Sequence, residues 1–356
     1  NNRNMKKLLY VALLLGATLQ FTACENDDSS AKPKQRYDLS QGMVISNEGS
    51  WGSNNASISL YYTNGDSLAN DVYNKVNKDV LGDVLQSITI ADTSAYLMVN
   101  ASNKIIVTSK YSCKKYASIT VAGPRYMVAN GKTGYVTAWT NNEVAVVDLT
   151  TNKVTGSIKV GTGPEGLIVN GGKLYVANSG GYGKDNTVSV IDVKTNAVVK
   201  TISVADCPKA FAVDKNGSIW VVCAGYTDWT TPANSTSGAL CKINPSTYEV
   251  TKIVIAGFNP DKLQINSAKD KLYYGGSYGA PGIYQMDIAA TAAPANPFVS
   301  GSFYGFAINP SNGEVMAMVA DWKVAANNKM VRYSATGSKI KEYVVGVGPN
   351  SGYFFN

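Results

Sequence analysis

One repeated unit decides the fold of this chain, and its clearest copy is GPEGLIVNGGKLYVANSGGYGKDNTVSVIDVKTNAVVKTISV, residues 163–204. The copy contains four short segments rich in β-branched and aromatic residues, and each segment ends at Gly, Asn, Asp or Pro. Such segments predict four strands, which we call a, b, c and d in chain order. The unit recurs at a spacing of about 40–50 residues, and antiparallel four-stranded units at that spacing indicate a β-propeller.

The number of repeats predicts the number of blades. Six complete units begin near residues 84, 122, 161, 205, 256 and 301. Residues 42–83 supply strands b, c and d of one more blade, and residues 348–355 supply its missing strand a. We therefore predict an all-β, seven-bladed β-propeller over residues 42–356, closed by N- and C-terminal strands that share one blade and so leave no free inner edge.

Residues 1–23 are predicted to be a signal peptide, with residues 1–4 upstream of the true start at Met5. Two lysines precede an apolar run over residues 8–19, which is too short to span the ~30 Å hydrocarbon core of a bilayer as a helix. The run ends in FTAC, residues 21–24, which resembles a bacterial lipobox. This resemblance implies cleavage before Cys24 and lipidation of Cys24.

Residues 24–41 are predicted to be a flexible tether that follows the lipidated cysteine. They are polar, with ENDD at residues 25–28, and cannot bury much surface. The acidic cluster resembles the surface-export signal of Bacteroidetes lipoproteins, although an ordinary solvated linker would have a similar composition. The resemblance implies an outer-membrane lipoprotein whose domain faces the cell exterior.

Composition excludes several functions. None of the 356 residues is histidine, which excludes Ser-His-Asp and Cys-His catalysis and histidine zinc sites. Removing residues 1–23 leaves 29 basic and 25 acidic side chains without a basic run, so nucleic acid is a poor candidate partner. We expect no metal, no cofactor and no enzymatic activity.

Four cysteines follow Cys24, and four cysteines allow three disulfide pairings. They are Cys113, Cys207, Cys223 and Cys241. Cys223 and Cys241 lie on segments predicted to be neighbouring strands, so we prefer that pair.

Propeller geometry predicts which loops share a face. The d–a and b–c loops meet on one face, while the short a–b and c–d turns occupy the opposite one. Aromatic candidates for ligand binding on the b–c loops are Trp51, Trp139, Tyr182, Tyr226, Trp229, Tyr278 and Trp322. Candidates on the d–a loops are Arg125, Tyr126, Glu165, Lys209, Lys262 and Tyr304, and the same loops also carry Asp261 and Asn350. Together they predict a shallow aromatic bowl for a large, partly flat ligand, unless each ring packs beneath its own loop and the charges form a solvated rim.

The repeat unit resembles YncE-like and surface-layer propellers. ISNEGSWG at residues 45–52, ASISLYY at residues 56–62 and LGDVLQS at residues 81–87 resemble Bacteroidetes surface propellers of the cobalamin-capturing, BtuG-like kind. That resemblance implies a non-enzymatic lipoprotein that captures cobalamin or a related corrinoid and passes it to a TonB-dependent outer-membrane transporter.

Siderophore capture is a second function that fits the same features. Related propeller lipoproteins serve ferric siderophores, and a trianionic siderophore would use lysines and arginine on the same face. The candidates for that role are Arg125, Lys184, Lys209, Lys262 and Lys323. A surface structural or adhesive propeller also fits the sequence. A propeller lyase or hydrolase is disfavoured by the absence of histidine.

Overall fold

Seven four-stranded antiparallel sheets form the domain, in a computed structural model that describes residues 37–277 and 279–355. The first three blades comprise β1 (Gly42–Asn47), β2 (Ser57–Tyr62) and β3 (Ser67–Ala69); β4 (Leu85–Ala91), β5 (Ser94–Val99), β6 (Lys104–Ser109) and β7 (Lys115–Thr120); and β8 (Pro124–Asn130), β9 (Thr133–Ala138), β10 (Glu143–Asp148) and β11 (Lys153–Lys159). Blades 4 and 5 comprise β12 (Pro164–Asn170), β13 (Lys173–Asn178), β14 (Thr187–Asp192) and β15 (Ala197–Ser203); and β16 (Pro208–Val213), β17 (Ile219–Cys223), β18 (Gly238–Ile243) and β19 (Val250–Ile255). Blades 6 and 7 comprise β20 (Lys262–Ile265), β21 (Lys271–Gly275), β22 (Gly282–Asp287) and β23 (Val299–Ser300); and β24 (Gly305–Ile308), β25 (Val315–Val319), β26 (Lys329–Tyr333) and β27 (Lys339–Val344).

The last strand, β28 (Pro349–Phe354), completes blade 1. Its sheet has the order β28-β1-β2-β3, and Val44 of β1 lies between Tyr353 of β28 and Leu60 of β2. The predicted seven-bladed propeller, closed by strands from both ends of the domain, is therefore confirmed.

The burial pattern explains why the repeat is so apolar. Strands b and c of a blade are buried on both faces, as in β13 and β14, because each sheet is sandwiched between two neighbours. Strand d lies at the outer rim, where β15 exposes nearly all of its side chains. Continuous apolar runs in the middle of each unit and polar runs at its end therefore follow from the radial arrangement.

A cluster of polar side chains joins blade 7 to blade 1 at the closure. The Asp66 carboxylate accepts hydrogen bonds from Arg332 Nη1 at 2.5 Å and Lys341 Nζ at 2.8 Å, and from the hydroxyls of Tyr61 and Tyr343. Hydrogen bonds from Lys341, Tyr343 and Tyr61 hold the pKa of Asp66 well below its usual range. We call these five residues the closure cluster.

Two details differ from the prediction. A short helix, α1 (Val72–Asn77), follows β3 and buries Val72 and Tyr73 against the core of blade 1. Residues before 42 also pack against the propeller: Leu39 is fully buried in a 3₁₀ turn, Leu39–Gln41, and its N–H donates to Lys110 O at 2.7 Å. The last part of the predicted tether is therefore packed against the propeller.

The predicted disulfide is not formed: Cys113, Cys207, Cys223 and Cys241 all have free, buried thiols. Cys223 lies opposite Ala239, and Cys241 lies opposite Val221, so the two cysteines are diagonal rather than directly paired. The two thiols belong to one buried cluster and still lie close enough to hydrogen-bond to each other.

The predictions for the signal peptide, Cys24 and the tether up to residue 36 fall outside the described residues. Within the described ranges, none of the helices is long and apolar enough to cross a membrane.

Candidate functional site

A ring of seven side chains surrounds the propeller axis. Each blade contributes the residue at the same position of the repeat, at the start of its innermost strand. The ring consists of Asn350, Gln86, Arg125, Glu165, Lys209, Asp261 and Tyr304. The repeat therefore brings together residues that are about 40 residues apart in sequence.

A β-bulge marks the ring position in five of the seven blades. The register of strand a against strand b shifts at Gln86, Arg125, Glu165, Lys209 and Asn350. A bulge leaves one residue out of the ladder and changes the direction of its side chain. The bulge is thus the local device that directs these side chains toward the axis.

A left-handed backbone conformation precedes the ring residue by two positions. The values of φ are +61° at Gly123, +56° at Gly163 and +64° at Gly348, which glycine adopts without strain. The equivalent residues of two further blades are Val84, at +58°, and Cys207, at +54°. Val84 is the more strained of the two because a β-branched side chain disfavours this region.

Six of the ring side chains line one cavity of about 590 Å³ on the face where the d–a and b–c loops meet. Ten predicted site residues line it: Trp51, Arg125, Tyr126, Trp139, Glu165, Tyr182, Lys209, Lys262, Tyr304 and Trp322. The exposed fractions are 71% for Trp51 and 91% for Tyr182, so these rings are not packed beneath their own loops. Aromatic and charged loops therefore converge on one face, as the propeller geometry predicts.

Two predicted site residues that the structure describes do not join this cavity. Tyr226 and Trp229 lie on the long loop of blade 5, which folds on itself because the Asp228 carboxylate accepts hydrogen bonds from the N–H groups of Thr230 and Thr231. Trp229 is 90% exposed and does not line the cavity. Tyr278 lies outside the described residues.

The cavity also contains residues that the prediction left out of the site. They are Glu48, Val84, Gln86, Asn100 and Asp261, together with Gly49, Ser50 and Gly276. Gln86 occupies the ring position already marked by Arg125 and Glu165, so aligning the repeats residue by residue was a signal that could have found it.

An Arg–Glu pair forms one side of the cavity floor. Glu165 accepts two hydrogen bonds from Arg125, from Nε at 3.0 Å and from Nη2 at 2.6 Å, while Arg125 Nη1 donates to Gln86 Oε1 at 2.5 Å. The guanidinium carbon also lies 4.0 Å from the ring centroid of Trp139. Burial alone would raise the pKa of Glu165, but Arg125 lowers it below the usual value, so Glu165 is held as a carboxylate. This bidentate, stacked geometry is the strong form of an ion pair.

A second network supports the opposite side of the floor. The carboxylate of Glu48 accepts hydrogen bonds from Tyr304 OH at 3.1 Å and from Asn350 Nδ2 at 2.8 Å. Burial and the neighbouring Glu48 raise the pKa of Tyr304 far above its usual range. The Tyr304 ring also meets Trp322 edge to face, with centroids 5.0 Å apart. Glu48 therefore fixes the orientation of an aromatic pair in the wall.

Lys262 crosses the axis of the propeller. Its Nζ atom, which belongs to blade 6, donates to Tyr126 OH of blade 3 at 3.4 Å, and Gln86 Nε2 of blade 2 donates to the same oxygen at 3.1 Å. Burial by itself would lower the pKa of Lys262. The surrounding phenol and carboxyl groups, including Asp261 and Glu48, outweigh that effect and raise the pKa above its usual value, so Lys262 stays charged. These contacts close the floor at the axis.

Among the described residues, no group of three or more Cys, Asp or Glu side chains is arranged to bind a metal ion. What the arrangement offers is an aromatic wall above a floor of mixed hydrogen-bond donors and acceptors. Such a surface can hold a flat ligand by stacking and orient it by polar contacts.

Comparison with solved structures shows the fold. A Bacteroides fragilis protein provisionally named a 6-phosphogluconolactonase is 11% identical, with a TM-score of 0.67 and coverage of 90% of this chain and 100% of that one. A Bacteroides uniformis protein with the same provisional name is 11% identical, with a TM-score of 0.65 and coverage of 87% and 98%. The hydrazine synthase of Kuenenia stuttgartiensis is 16% identical, with a TM-score of 0.58 and coverage of 74% and 87%. At these identities the likeness concerns the propeller alone.

Comparison with curated proteins finds no match. A family profile described as "Domain of unknown function (DUF5074)" matches residues 41–356, which is essentially the whole propeller. The chain belongs to the DUF5074 family.

Proposed function

We propose that this protein captures a corrinoid, cobalamin or a close relative, in the cavity on its aromatic face, and that it binds the ligand without transforming it. The observation that carries this proposal is the combination in one cavity of exposed aromatic walls with a floor of paired donors and acceptors. A corrinoid has a matching character, since a broad ring system carries a periphery of amides. The sequence resemblance described above supports the same ligand class.

The size of the bowl supports a large ligand. The cavity adjoins a second depression of about 550 Å³, and the two share Trp51, Asn100, Trp139 and Tyr182. Sites for drug-sized molecules typically measure about 300–1,000 Å³. Two adjoining depressions of this size exceed what a small metabolite needs and suit a macrocycle with side groups.

The charge of the cavity supports a ligand with little net charge. The lining includes three carboxylates and three cations: Glu48, Glu165 and Asp261, and Arg125, Lys209 and Lys262. Their formal charges cancel, and Arg125 is already engaged by Glu165. A trianionic ferric siderophore would meet repulsion from the same carboxylates, so siderophore capture has less support.

The protonation states support capture rather than turnover. The lowered pKa of Glu165 makes it a weak general base, and Tyr304 keeps a phenol proton that it donates to Glu48. The chain has no histidine that could activate water or a hydroxyl. We therefore do not extend the provisional lactonase name of the structural neighbours to this protein.

We further propose that Cys24 anchors the protein by lipid at the outer membrane and that the aromatic face delivers the ligand to a TonB-dependent transporter. The lipobox-like residues 21–24 and the acidic residues 25–28 support this location. Labelling cells with a palmitate analogue tests it: the wild-type protein should carry the label, and the Cys24→Ser variant should not. A label that persists in the variant would contradict the anchor.

Equilibrium titration with cyanocobalamin, followed by tryptophan fluorescence and calorimetry, tests the ligand. We expect a dissociation constant below about 1 µM, on the order of that of a specific site. Trp139→Ala should weaken binding at least about tenfold, because the ring lines both depressions and supports Arg125. Tyr111→Ala is the matched control, since Tyr111 is an exposed aromatic residue of the c–d turn region of blade 2, outside both depressions.

The same titrations discriminate among the candidate ligands. Binding of cyanocobalamin weaker than micromolar would contradict the proposal, and tighter, salt-sensitive binding of a ferric catecholate would favour siderophore capture. Turnover of 6-phosphogluconolactone would contradict a purely binding role. Binding only to a glycan or a protein would favour an adhesive propeller.

A further inference from the structure

We propose that Lys209, Lys262 and Tyr126 form a subsite for one oxyanion of the ligand, a phosphate or carboxylate group, on the cavity floor. This inference rests on the proposed function and deepens it, because it restricts the ligand to a large, mainly neutral body that carries one anionic group. The subsite follows from counting which polar groups of the floor already have partners.

Most of the floor is satisfied internally. Arg125 and Glu165 neutralise each other through two hydrogen bonds, and Gln86 takes up a third donor of the guanidinium. Glu48 is occupied by Tyr304 and Asn350. These groups stabilise the floor, and because they are already paired they do not need a charged group of the ligand as a partner.

The two lysines are the exception. Among the described residues, no carboxylate lies within 4.0 Å of the ammonium group of Lys209 or Lys262. Each ammonium has three N–H donors, and within the described part of the chain the single hydrogen bond made by either is the 3.4 Å bond from Lys262 to Tyr126 OH. Half-buried cations with unused donors are costly to desolvate and gain most from an anionic partner.

Tyr126 adds a neutral donor at the same place. Its oxygen accepts hydrogen bonds from both Gln86 Nε2 and Lys262 Nζ, which uses both lone pairs. The orientation of the Gln86 amide is set because its Oε1 accepts from Arg125. The O–H of Tyr126 must therefore donate elsewhere, and Tyr126 lines the cavity.

The neighbouring acids set the number of negative charges that the subsite accepts. Asp261 precedes Lys262 in the chain, and Glu165 lies close enough to Lys209 for that lysine to lower the Glu165 pKa. The two lysines attract an anionic group, while the nearby carboxylates repel additional negative charge. The subsite therefore favours a single monoanionic group over a highly charged ligand.

A pair of corrinoids tests the subsite. Cyanocobalamin carries one phosphodiester, whereas dicyanocobinamide lacks the nucleotide loop and its phosphate. In the purified full chain, the double variant Lys209→Met, Lys262→Met should bind cyanocobalamin at least about tenfold more weakly, as expected for lost hydrogen bonds to a charged group. Its affinity for dicyanocobinamide should change by less than about twofold, and Tyr126→Phe should show a smaller loss of the same selectivity. Lys132→Met is the control, because Lys132 is exposed in the a–b turn of blade 3 and does not line the cavity.

Each outcome bears on a separate claim. Equal losses for both corrinoids, or equal affinities of the wild-type protein for both, would overturn the subsite while leaving corrinoid capture intact. If the wild-type protein binds neither corrinoid, the proposed function fails, and inorganic phosphate becomes the probe. A rise in the melting temperature of the wild-type protein with millimolar phosphate, absent from the double variant, would then support the oxyanion subsite. No rise would overturn it.

Discussion

The cavity floor and the closure cluster use the same chemistry in different surroundings. On the floor, Arg125 and Glu165 join blades 3 and 4, with side-chain exposures of 13% and 6%. At the closure, Arg332 and Asp66 join blades 7 and 1, with exposures of 15% and 42%. Both pairs tie neighbouring blades together, but only the floor pair is withdrawn from water. We therefore expect burial, more than the number of contacts, to determine what each pair contributes to stability.

The largest expected effect comes from breaking the floor pair. Glu165→Ala leaves the guanidinium of Arg125 buried without its partner and should lower the free energy of unfolding by about 3–5 kcal/mol. Urea denaturation measures the loss. The double variant Arg125→Met, Glu165→Leu should recover most of it, since no charge is then buried; equal instability of the single and double variants would contradict the assignment.

A smaller effect is expected at the closure. Asp66→Asn removes the negative charge and one of the two acceptor oxygens that Arg332 and Lys341 use, but water screens a carboxylate that is 42% exposed. We expect a loss of about 1 kcal/mol, which decreases at high salt. A loss as large as that of Glu165→Ala, or one insensitive to salt, would show that burial does not explain the difference between the two pairs.

Acid should act on the closure cluster in a predictable direction. The pKa of Asp66 is depressed by Lys341, Tyr343 and Tyr61, so its contribution to stability is fully present above the unfolded pKa of about 4 and is lost as the pH falls toward the folded pKa. Melting curves between about pH 6 and 2 should show a decline below about pH 4 that is shallower in Asp66→Asn. Identical declines in both proteins would assign the acid sensitivity to different carboxylates.

The smallest change in stability is expected from the strained backbone of the floor. In Val84→Gly, relief of a left-handed conformation worth about 1–3 kcal/mol offsets the loss of a buried side chain worth about 1.5–3 kcal/mol. The free energy of unfolding should therefore change by less than about 1 kcal/mol by this balance. Val99→Gly is the control: Val99 is fully buried, lies in a regular strand and should be far more damaging to replace. Comparable losses in the two variants would show that Val84 is not strained.

The fold was predictable because the repeat consists of strand and turn signals that lie close together in the sequence. The segments from Leu174 to Asn178 and from Thr187 to Asp192 carry strand propensity and turn residues that need no knowledge of distant contacts. The prediction missed α1 (Val72–Asn77), which is too short to show helical periodicity and owes its stability to packing of Val72 and Tyr73. It placed Cys223 and Cys241 on neighbouring strands, as observed, but it did not give their diagonal register, because register cannot be counted from sequence across a variable loop.

The site was predictable in its location and only partly in its members. Loop topology placed Trp51 and Trp139 on one face, and both line the cavity. The same argument included Trp229, which lies outside, because the hydrogen bonds that fold its loop depend on contacts within that loop rather than on blade topology.

The amino-acid sequence by itself determined the number of blades, the shared closing blade and the face on which the aromatic loops meet, since each follows from a repeating local pattern. Only the tertiary structure decided that Lys262 reaches Tyr126 across the axis and that Arg125 binds Glu165, while Lys209 meets no carboxylate among the described residues. Those pairings join different blades, and a few ångströms of position decide whether two charges neutralise each other or remain available to a ligand.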